Sequence, residues 1–367
     1  MSSLDFSHEE VLRAGAYHRP LYLALAADTA LSLAVLAVLG WVWSGPYHLV
    51  SGLGWAGAAA GYAAIVTTVS ALVRLPLGFW HGWIRERRWG FSTQTAGAWL
   101  ADRAKGWGVS VALTAAAWTA VVGLARAFPS GWPLVAGAVL AVTVLVLSFL
   151  GPLVFEPLFN RFRPLEDERL AGELRELARR AGVPVRDVLV ADASRRTTKV
   201  NAYVSGLGRT RRVVLYDTLL AEADEREIEL ILAHELGHRR ERHVLKGTLL
   251  GMAGAVVAVV AVWAVLGSKV ASPDELPAAL LVLAVLELLG LAPGNGLSRR
   301  WERVADRFSL DLTRDLEAFE RTQRELARKN LSDLEPPRVV YVLLFSHPTP
   351  PERLALGRAW AASVASS

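Results

Sequence analysis

Residues 224–267 read DEREIELILAHELGHRRERHVLKGTLLGMAGAVVAVVAVWAVLG, so a polar stretch leads directly into a long apolar run. Acidic residues begin the polar stretch and Arg239, Arg240 and Arg242 lie near its end, an arrangement that the helix dipole favours. A membrane core of about 30 Å needs about 20 helical residues, which the apolar run supplies. We therefore expect a helix outside the bilayer that meets a transmembrane helix directly.

Similar apolar runs occur elsewhere in this chain of 367 residues, of which 53% are hydrophobic and 20% charged. The first 19 residues are polar and the first apolar run lacks a cleavage site of small residues, so we expect that run to remain as a membrane anchor. We predict six transmembrane helices, the last one short, at residues 20–43, 48–73, 107–127, 132–157, 247–267 and 277–293.

The polar segment between the fourth and fifth runs is expected to fold outside the membrane. Its first part has leucines at helical spacing, Leu170, Leu174 and Leu177, and Gly182 then ends the helix. Short β-branched and aromatic stretches follow, with GLGRT (206–210) as a hairpin turn between the last two. The strands are predicted at residues 185–192, 199–206 and 211–217.

The basic residues indicate the orientation in the membrane. The net charge is +5, and arginine is dense in residues 161–242. In contrast, Lys269 is the one basic residue in the loops at 44–47, 128–131 and 268–276. The positive-inside rule then predicts that both termini and the large polar segments are cytoplasmic.

No basic motif interleaved with aromatic residues is present, so we expect no nucleic-acid partner. Since the chain has no cysteine, any metal must be held by His, Asp or Glu.

The HExxH motif His234-Glu235-Leu236-Gly237-His238 predicts a metal site. On a helix, His234 and His238 lie on one face, so both imidazoles can reach one zinc ion. Glu235 lies beside them, where it can take a proton from a water that zinc makes more acidic. The same pattern also occurs by chance on ordinary helix faces. Here the apolar stripe IELILA (228–233) before the motif packs the helix down and favours the metal site.

A catalytic zinc site needs a third protein ligand and an open position. Glu302, in WERVADRFSLD (301–311), is the best candidate, although an acidic pair on a charged helix is by itself typical of a solvated face. Asp306 lies four residues later on the same face, where it can hydrogen-bond a ligating imidazole. His238 lies nine residues before the fifth run and Glu302 nine residues after Pro293, so both lie at similar height above one membrane face.

Several separated blocks of the chain resemble the CAAX prenyl endopeptidase family, a gluzincin group of integral-membrane zinc peptidases. The resemblance spans nearly all of residues 75–355. Eukaryotic members have seven spans, and this chain resembles them from their second span onward. The matching blocks are GFSTQT (90–95), EPLFNRFRPLEDERL (156–170), KVNAYVSGLGRTRRVVLYDTLL (199–220), HELGH (234–238), RRWERVADRF (299–308) and FSHPTPPER (345–353).

The resemblance implies the same zinc ligands, His234, His238 and Glu302, and implies that Glu235 is the base and later the proton donor. It also implies that His347 and Arg353 lie near the scissile carbonyl, where they stabilise the oxyanion or hold the substrate. Asn201, Ala202 and Tyr203 match the family's edge strand, along which a peptide can lie as an added strand. For Tyr203, an ordinary place in a strand is an equally good interpretation.

The expected fold is mainly α: a multi-span transmembrane helical bundle with a cytoplasmic zincin-like α+β metallopeptidase unit. The expected function is a membrane-embedded zinc (Zn²⁺) metalloendopeptidase, similar to CAAX prenyl proteases, that acts on a peptide or protein substrate, lipidated or membrane-associated, in contact with membrane lipid. The expected regions are four spans in residues 1–157, a soluble insert with the sheet and HExxH helix in 158–246, two spans in 247–293, and the rest of the catalytic unit in 294–367.

Two alternatives stay open from the residues. A peptidase that removes damaged membrane proteins would use the same chemistry, and the sequence does not separate it from a prenyl protease. A zinc transporter or sensor would need His and Asp along the spans at midplane depth, where they are nearly absent. The ionisable residues within the spans are Asp28 and Glu287, which either line a chamber or pair with neighbours.

Overall fold

The computed structural model describes residues 5–151, 154, 156–206 and 208–366, which are mostly helical. Short helical turns lie at Gly45–His48, Arg85–Arg88, Glu156–Phe159 and Asp217–Glu222. The longer helices are α1 (His8–Ala37), α2 (Gly54–Phe79), α3 (Ala96–Ala127), α4 (Trp132–Leu150), α5 (Glu168–Arg180), α6 (Glu225–Arg240), α7 (His243–Leu266), α8 (Leu276–Thr313), α9 (Leu316–Lys329), α10 (Arg338–Leu344) and α11 (Pro350–Ala365).

Six helical segments within the described residues are long and apolar enough to cross a membrane, which confirms the predicted number. They overlap all six predicted runs, and most are longer than predicted. Three predicted features include positions outside the described residues: the polar start (1–4), the end of the fourth span (152, 153 and 155) and the hairpin turn (207). The six segments are His8–Val42, Gly45–Arg88, Ala96–Ala127, Trp132–Leu150, His243–Ala271 and Pro273–Thr313.

The last two spans join the polar segments in different ways. Helix α8 runs unbroken from Leu276 to Thr313 through Pro293, so the sixth apolar run and the segment predicted to follow it form one helix. The HExxH helix leads into the fifth span across a short break that was not predicted. It ends at Arg240, and α7 begins at His243 after Arg242 adopts a φ of +56°. A left-handed non-glycine residue turns the chain there and separates the two helices.

The membrane bundle has its own apolar core. Tyr62 and Val66 of α2 pack with Trp118 and Val122 of α3 and with Trp132 of α4 in one buried cluster. Asp28 of α1 accepts hydrogen bonds from the guanidinium of Arg74 in α2, one of them 2.9 Å long, so this intramembrane acid pairs with a neighbouring helix. Glu287 of α8 is exposed.

The polar insert folds around a four-stranded sheet of order β1-β2-β4-β3, in which β2 and β4 are parallel and the other pairs antiparallel. The three predicted strands are present. Strand β1 was not predicted, because three residues are too short to show an alternating pattern. The strands are β1 (Phe162–Pro164), β2 (Asp187–Ala191), β3 (Ala202–Ser205) and β4 (Arg212–Tyr216).

One face of this sheet packs against α5 and α6. Leu174 and Leu177 of α5 share a buried cluster with Val213 of β4 and with Leu232 and Leu236 of α6. The leucine spacing that predicted α5 is therefore the spacing of its buried face. The same cluster holds the apolar side of α6 against the sheet, and this fixes the direction in which the opposite side of α6 points.

Candidate metal centre

Helices α6 and α8 meet at Gly237, the glycine of the HELGH motif. A Cβ built on Gly237 would lie 3.1 Å from the Cα of Ala305 and 3.1 Å from Cδ1 of Phe308. Both distances are shorter than ordinary van der Waals contact, so a side chain at this position would require its neighbours on α8 to move by a few tenths of an ångström. Because Ala305 lies between Glu302 and Asp306, the close approach brings both acids to the histidine face of α6.

Three side chains converge where the two helices meet. Nε2 of His234 lies 3.2 Å from Oε2 of Glu302, and Nε2 of His238 lies 3.2 Å from Oε1 of the same carboxylate. The two imidazole Nε2 atoms are themselves 3.2 Å apart. Among the described residues, these three form the group of His, Asp or Glu side chains with the spacing of a metal site.

The spacing of the ligand atoms suits one zinc ion. Zinc bonds of about 2.0–2.1 Å in tetrahedral geometry place neighbouring ligand atoms about 3.3 Å apart. The two Nε2 atoms are 3.2 Å apart, and each lies 3.2 Å from a different oxygen of the Glu302 carboxylate, so all three separations are close to this value. In addition, Oε2 of Glu302 is buried without a hydrogen-bond partner, a costly arrangement that a cation would relieve. The residues present therefore suit a zinc ion, with the fourth position left for water or substrate.

A second group of side chains orients the two imidazoles. Nδ1 of His234 lies 2.9 Å from Oδ1 of the fully buried Asp306, and the guanidinium of Arg353 donates to both oxygens of that carboxylate. Nδ1 of His238 lies 3.0 Å from Nδ1 of His243, whose ring stacks on Trp301. Each of these two histidines thus has a partner on the ring nitrogen that faces away from Glu302, and in metal sites such partners fix the tautomer and orientation of a ligand.

The sequence prediction missed His243. The residue lies five positions after His238, so on a continuous helix its side chain would not lie on the same face. The break at Arg242 starts α7 at His243 and turns its side chain back toward His238. The missed histidine therefore follows directly from the missed helix break.

The charges around the site favour a cation. Burial opposes protonation of His234, but the neighbouring carboxylates of Asp306 and Glu302 prevail and raise its pKa to about 9. A site that holds a proton this strongly attracts positive charge in general, and a metal ion has to displace that proton. Burial also raises the pKa of Glu235, although the neighbouring imidazoles act in the opposite direction. A raised pKa suits a carboxylate that takes up and returns a proton.

The open side of the site faces a cavity of about 550 Å³. Glu235 and His234 line it, together with His347 and Arg353 from the carboxyl-terminal segment. His347 is exposed, and its Nε2 lies 3.3 Å from Oε1 of Glu302. Arg353 instead reaches the Nδ1 side of His234, at 3.2 Å, where it also binds Asp306. The two residues that the family resemblance singled out thus contact different members of the ligand cluster, His347 the carboxylate of Glu302 and Arg353 the ring of His234.

Helix α8 also holds the segment that leads to His347. Asn295 donates a 2.6 Å hydrogen bond to the carbonyl of Leu343, and the guanidinium of the buried Arg299 donates to the carbonyls of Tyr341 and Phe345. With Glu302, these residues lie on one face of α8 at helical spacing. No role could be predicted for Asn295 or Arg299 from the sequence, because their partners are backbone carbonyls far along the chain.

The predicted edge-strand residues are divided between the cavity and the sheet. Strand β3 does lie at the edge of the sheet, and Asn201 just before it lines the cavity. Ala202 is buried within β3. The side chain of Tyr203 lies outside the cavity lining, where its hydroxyl is 3.5 Å from Oε2 of Glu156 and its ring packs edge-on against Tyr216. These contacts fit the structural interpretation of Tyr203.

Replacing Gly237 by alanine is expected to separate α6 from α8 and to weaken metal binding about tenfold, because the ligand from α8 then moves away from the two histidines. The crowded Cβ should also lower the free energy of unfolding by about 1–3 kcal/mol. Titration of the metal-free protein with zinc and a thermal melt measure the two effects. Gly172→Ala on α5, where a Cβ meets nothing within 4 Å, is the matched control. Equal zinc affinity in Gly237→Ala and wild type would contradict the close-approach argument.

Sequence comparisons agree with this arrangement. The model of peptidase family M48 matches residues 164–361, and the model described as "CAAX prenyl protease N-terminal, five membrane helices" matches residues 22–161. The uncharacterized metalloprotease YhfN of Bacillus subtilis is 30% identical over 310 residues, which cover 80% of this chain and 72% of that protein.

Eukaryotic CAAX prenyl proteases are also similar over a shorter stretch. CAAX prenyl protease 1 of Saccharomyces cerevisiae is 31% identical over 185 residues, and its Arabidopsis thaliana homolog is 34% identical over 186 residues. These alignments cover 50% of this chain but only 41% and 43% of the two relatives, so the chain matches less than half of their length.

A solved structure shows the same fold. The crystal structure of Ste24p from S. mikatae superposes with a TM-score of 0.86 over 97% of this chain and 90% of that one, at 23% sequence identity. The comparisons favour neither a quality-control peptidase nor a zinc transporter. Together with the six apolar helices, they show an integral, multi-pass membrane protein with a peptidase unit that uses a metal cofactor and acts on peptide or protein substrates. The chain therefore belongs to the CAAX prenyl protease family within peptidase family M48, and it is a membrane-embedded metalloendopeptidase.

Proposed function

We propose that this protein binds zinc through His234, His238 and Glu302 and hydrolyses a peptide bond next to the membrane, with Glu235 as the general base. The observation that supports this most directly is the convergence of two imidazole Nε2 atoms, 3.2 Å apart, on the two oxygens of the Glu302 carboxylate, each at 3.2 Å, beside Glu235 at the wall of a cavity. A transporter would need an ion pathway through the spans, whereas this cluster lies between α6, outside the spans, and the part of α8 beyond the membrane run.

In the proposed reaction, bound zinc supplies Lewis acidity that polarises the peptide carbonyl and makes a water molecule easier to deprotonate. Glu235 accepts the proton of that water on its carboxylate and later returns it to the leaving amine. His347 lies beside Glu302 on the exposed side, where its imidazole donates to the developing oxyanion. Arg353 acts as a positioning residue, because its guanidinium holds Asp306, which in turn holds the ring of His234.

The proposed peptide site is the outer side of β3, meaning the side that faces away from β4. A peptide added there would run along the sheet edge through main-chain hydrogen bonds, with Asn201 and Ala202 as its nearest neighbours. The α6 helix contacts the same strand, since Arg239 of α6 donates to the carbonyl of Val204. The added strand would therefore lie next to the helix that contributes Glu235.

We further propose that the substrate is a lipidated or membrane-associated peptide, as the names of the CAAX prenyl protease relatives suggest. Leu21 and Leu25 of the first span line the same cavity as Glu235 and Asn201. Apolar side chains from a membrane helix therefore lie in one cavity with the proposed catalytic base, which suits a peptide that carries a lipid chain. The density of arginine in residues 161–242 supports a cytoplasmic position for this unit.

The test uses the full chain purified in detergent. Elemental analysis is expected to find zinc in stoichiometric amount. A peptide with a farnesylated cysteine is expected to be cleaved with a kcat/KM about tenfold or more above that of the unmodified peptide, because burying lipid methylenes contributes about 0.8 kcal/mol each. Equal rates on both peptides would favour the quality-control alternative. Stoichiometric zinc without hydrolysis of either peptide would contradict the peptidase proposal.

A further inference from the structure

The outer side of β3 is already occupied at both ends by side chains of this protein. Backbone groups along a strand alternate in direction. The carbonyl of Asn201 accepts from the N–H of Tyr216, and the carbonyl of Lys199 accepts from the hydroxyl of Thr218, so both point toward β4 and its neighbour. The backbone groups of Val200, Ala202 and Val204 consequently point to the outer side.

Asn330 covers the first of these outer positions. Its Oδ1 accepts a 3.3 Å hydrogen bond from the N–H of Val200, and its Nδ2 donates a 3.4 Å hydrogen bond to the carbonyl of Val200. A carboxamide that pairs with both backbone groups of one residue imitates one residue of a neighbouring strand. Asn330 therefore occupies the place that the next residue of an added peptide would need.

The far end of the outer side of β3, at Val204, and its middle, at Ala202, contact different side chains. Arg239 of α6 donates to the carbonyl of Val204. Between the two ends, the N–H of Ala202 donates to the side chain of Asn201 at 2.9 Å. An adjacent flexible side chain can rotate away when a peptide arrives. The complete backbone pair that β3 can offer to a peptide is therefore the one at Ala202.

The turn that follows Asn330 is held in place by the first membrane helix. Asn330 follows the last residue of α9, and the next residue, Leu331, has a φ of +47°, which is unusual for a leucine. Nε2 of His18 in α1 lies 2.7 Å from the carbonyl of Leu331, and the hydroxyl of Tyr22 donates a 2.6 Å hydrogen bond to Asp333. A strained backbone that neighbouring side chains hold this firmly is typical of a functional position.

We propose that Asn330 is a specificity-determining residue that fixes the register of the bound peptide, an inference that rests on the proposed function. A peptide on the outer side of β3 pairs at Ala202 and has to leave the sheet before Val200, because the carboxamide of Asn330 blocks that position. One register is thereby selected. Side chains of a strand alternate between the two faces of a sheet. The nearest competing register that keeps each peptide side chain on the same face is therefore displaced by two residues.

The test is designed so that both registers present the same side chains. The substrate is a farnesylated-cysteine peptide followed by a repeated Ala-Val dipeptide, and the products are identified by mass spectrometry. Wild type is expected to cleave one bond predominantly. Asn330→Ala leaves the backbone N–H and carbonyl of Val200 free to pair with a peptide. The product of cleavage two residues away should therefore increase about tenfold relative to the main product, as expected for the loss of one to two hydrogen bonds.

Two further variants keep the result interpretable. Asn330→Asp retains the acceptor for the Val200 N–H but loses the Nδ2 donor, and a smaller increase of the displaced product is expected. Glu325→Gln removes an ion pair with Arg328 on the same helix and should cleave as wild type does. If Asn330→Ala proves too unstable to purify, Asn330→Asp decides the question.

The outcomes separate the two proposals. An unchanged product pattern in Asn330→Ala and Asn330→Asp, with zinc content and melting temperature as in wild type, would overturn the register proposal alone. Absence of cleavage by wild type, or equal cleavage by wild type and Glu235→Gln, would overturn the proposed function and the register proposal with it.

Discussion

Glu235→Gln is expected to lower kcat by about 10²–10⁴-fold, the usual contribution of a positioned general base. The amide has nearly the same shape as the carboxylate but cannot accept the proton of water. Because Glu235 is not one of the three proposed zinc ligands, the variant should bind as much zinc as wild type. Measuring kcat on the farnesylated peptide together with the zinc content of the same sample tests both statements.

The control for this experiment is Glu229→Gln, which makes the same chemical change on the same helix. Glu229 lies in the second turn of α6, where it pairs with Arg226, and it does not line the cavity. Its replacement should therefore leave kcat unchanged. Loss of zinc in Glu235→Gln would mean that the residue is a ligand rather than a base. Cleavage by Glu235→Gln at the wild-type rate would remove the general base from the mechanism.

Two kinds of feature could be predicted from the sequence: side chains placed by residues close to them in the chain, and segments placed by the membrane spans to which they are attached. The HELGH motif places His234 and His238 through helical geometry alone. Glu302 is distant in sequence, but its offset from the end of the sixth span predicted the membrane face on which it lies. The structure brings its carboxylate to 3.2 Å from both histidines. Membrane spans fix the height of the attached segments, and for this reason a long-range contact was predictable.

The parts that the sequence did not reveal depend on backbone groups and on one turn. Arg242 gives no signal for a left-handed conformation, since glycine or asparagine is the usual residue there. Without that turn, His243 could not be recognised as the partner of His238. Contacts of Asn330 with Val200 and of Arg299 with Tyr341 join side chains to the main chain, and the identity of a main-chain partner leaves no trace in the sequence.

The single helix α8 explains how the membrane and the site act as one unit. It begins as the sixth span and continues beyond the membrane to Thr313 without a break. Its outer part provides Glu302, orients His234 through Asp306, and holds the carbonyls before His347 through Arg299. His238 lies on the separate helix α6, so a displacement of the sixth span would shift Glu302 relative to His238, and the geometry of the metal site depends on how α8 packs in the bilayer.

This dependence makes Glu302→Ala the most sensitive probe of the metal site. Replacing a residue that only orients a ligand weakens metal binding about 10–100-fold, so the loss of a direct ligand is expected to exceed about 100-fold. The remaining ligands, His234 and His238, lie on one turn of α6 and leave half of a tetrahedral site without protein ligands. The variant should be purified without zinc and should not cleave peptide, and a chelator competition measures its affinity.

The matched control, Glu287→Ala, removes a carboxylate from the same helix at an exposed position within the span and should retain zinc. A metal-free but folded Glu302→Ala protein is distinguishable from an unfolded one, because the membrane core around Tyr62 and Trp118 does not include this carboxylate. Its helical signal in detergent should therefore equal that of wild type. Stoichiometric zinc in Glu302→Ala would show that α8 does not contribute the third ligand, and another acid would have to complete the site.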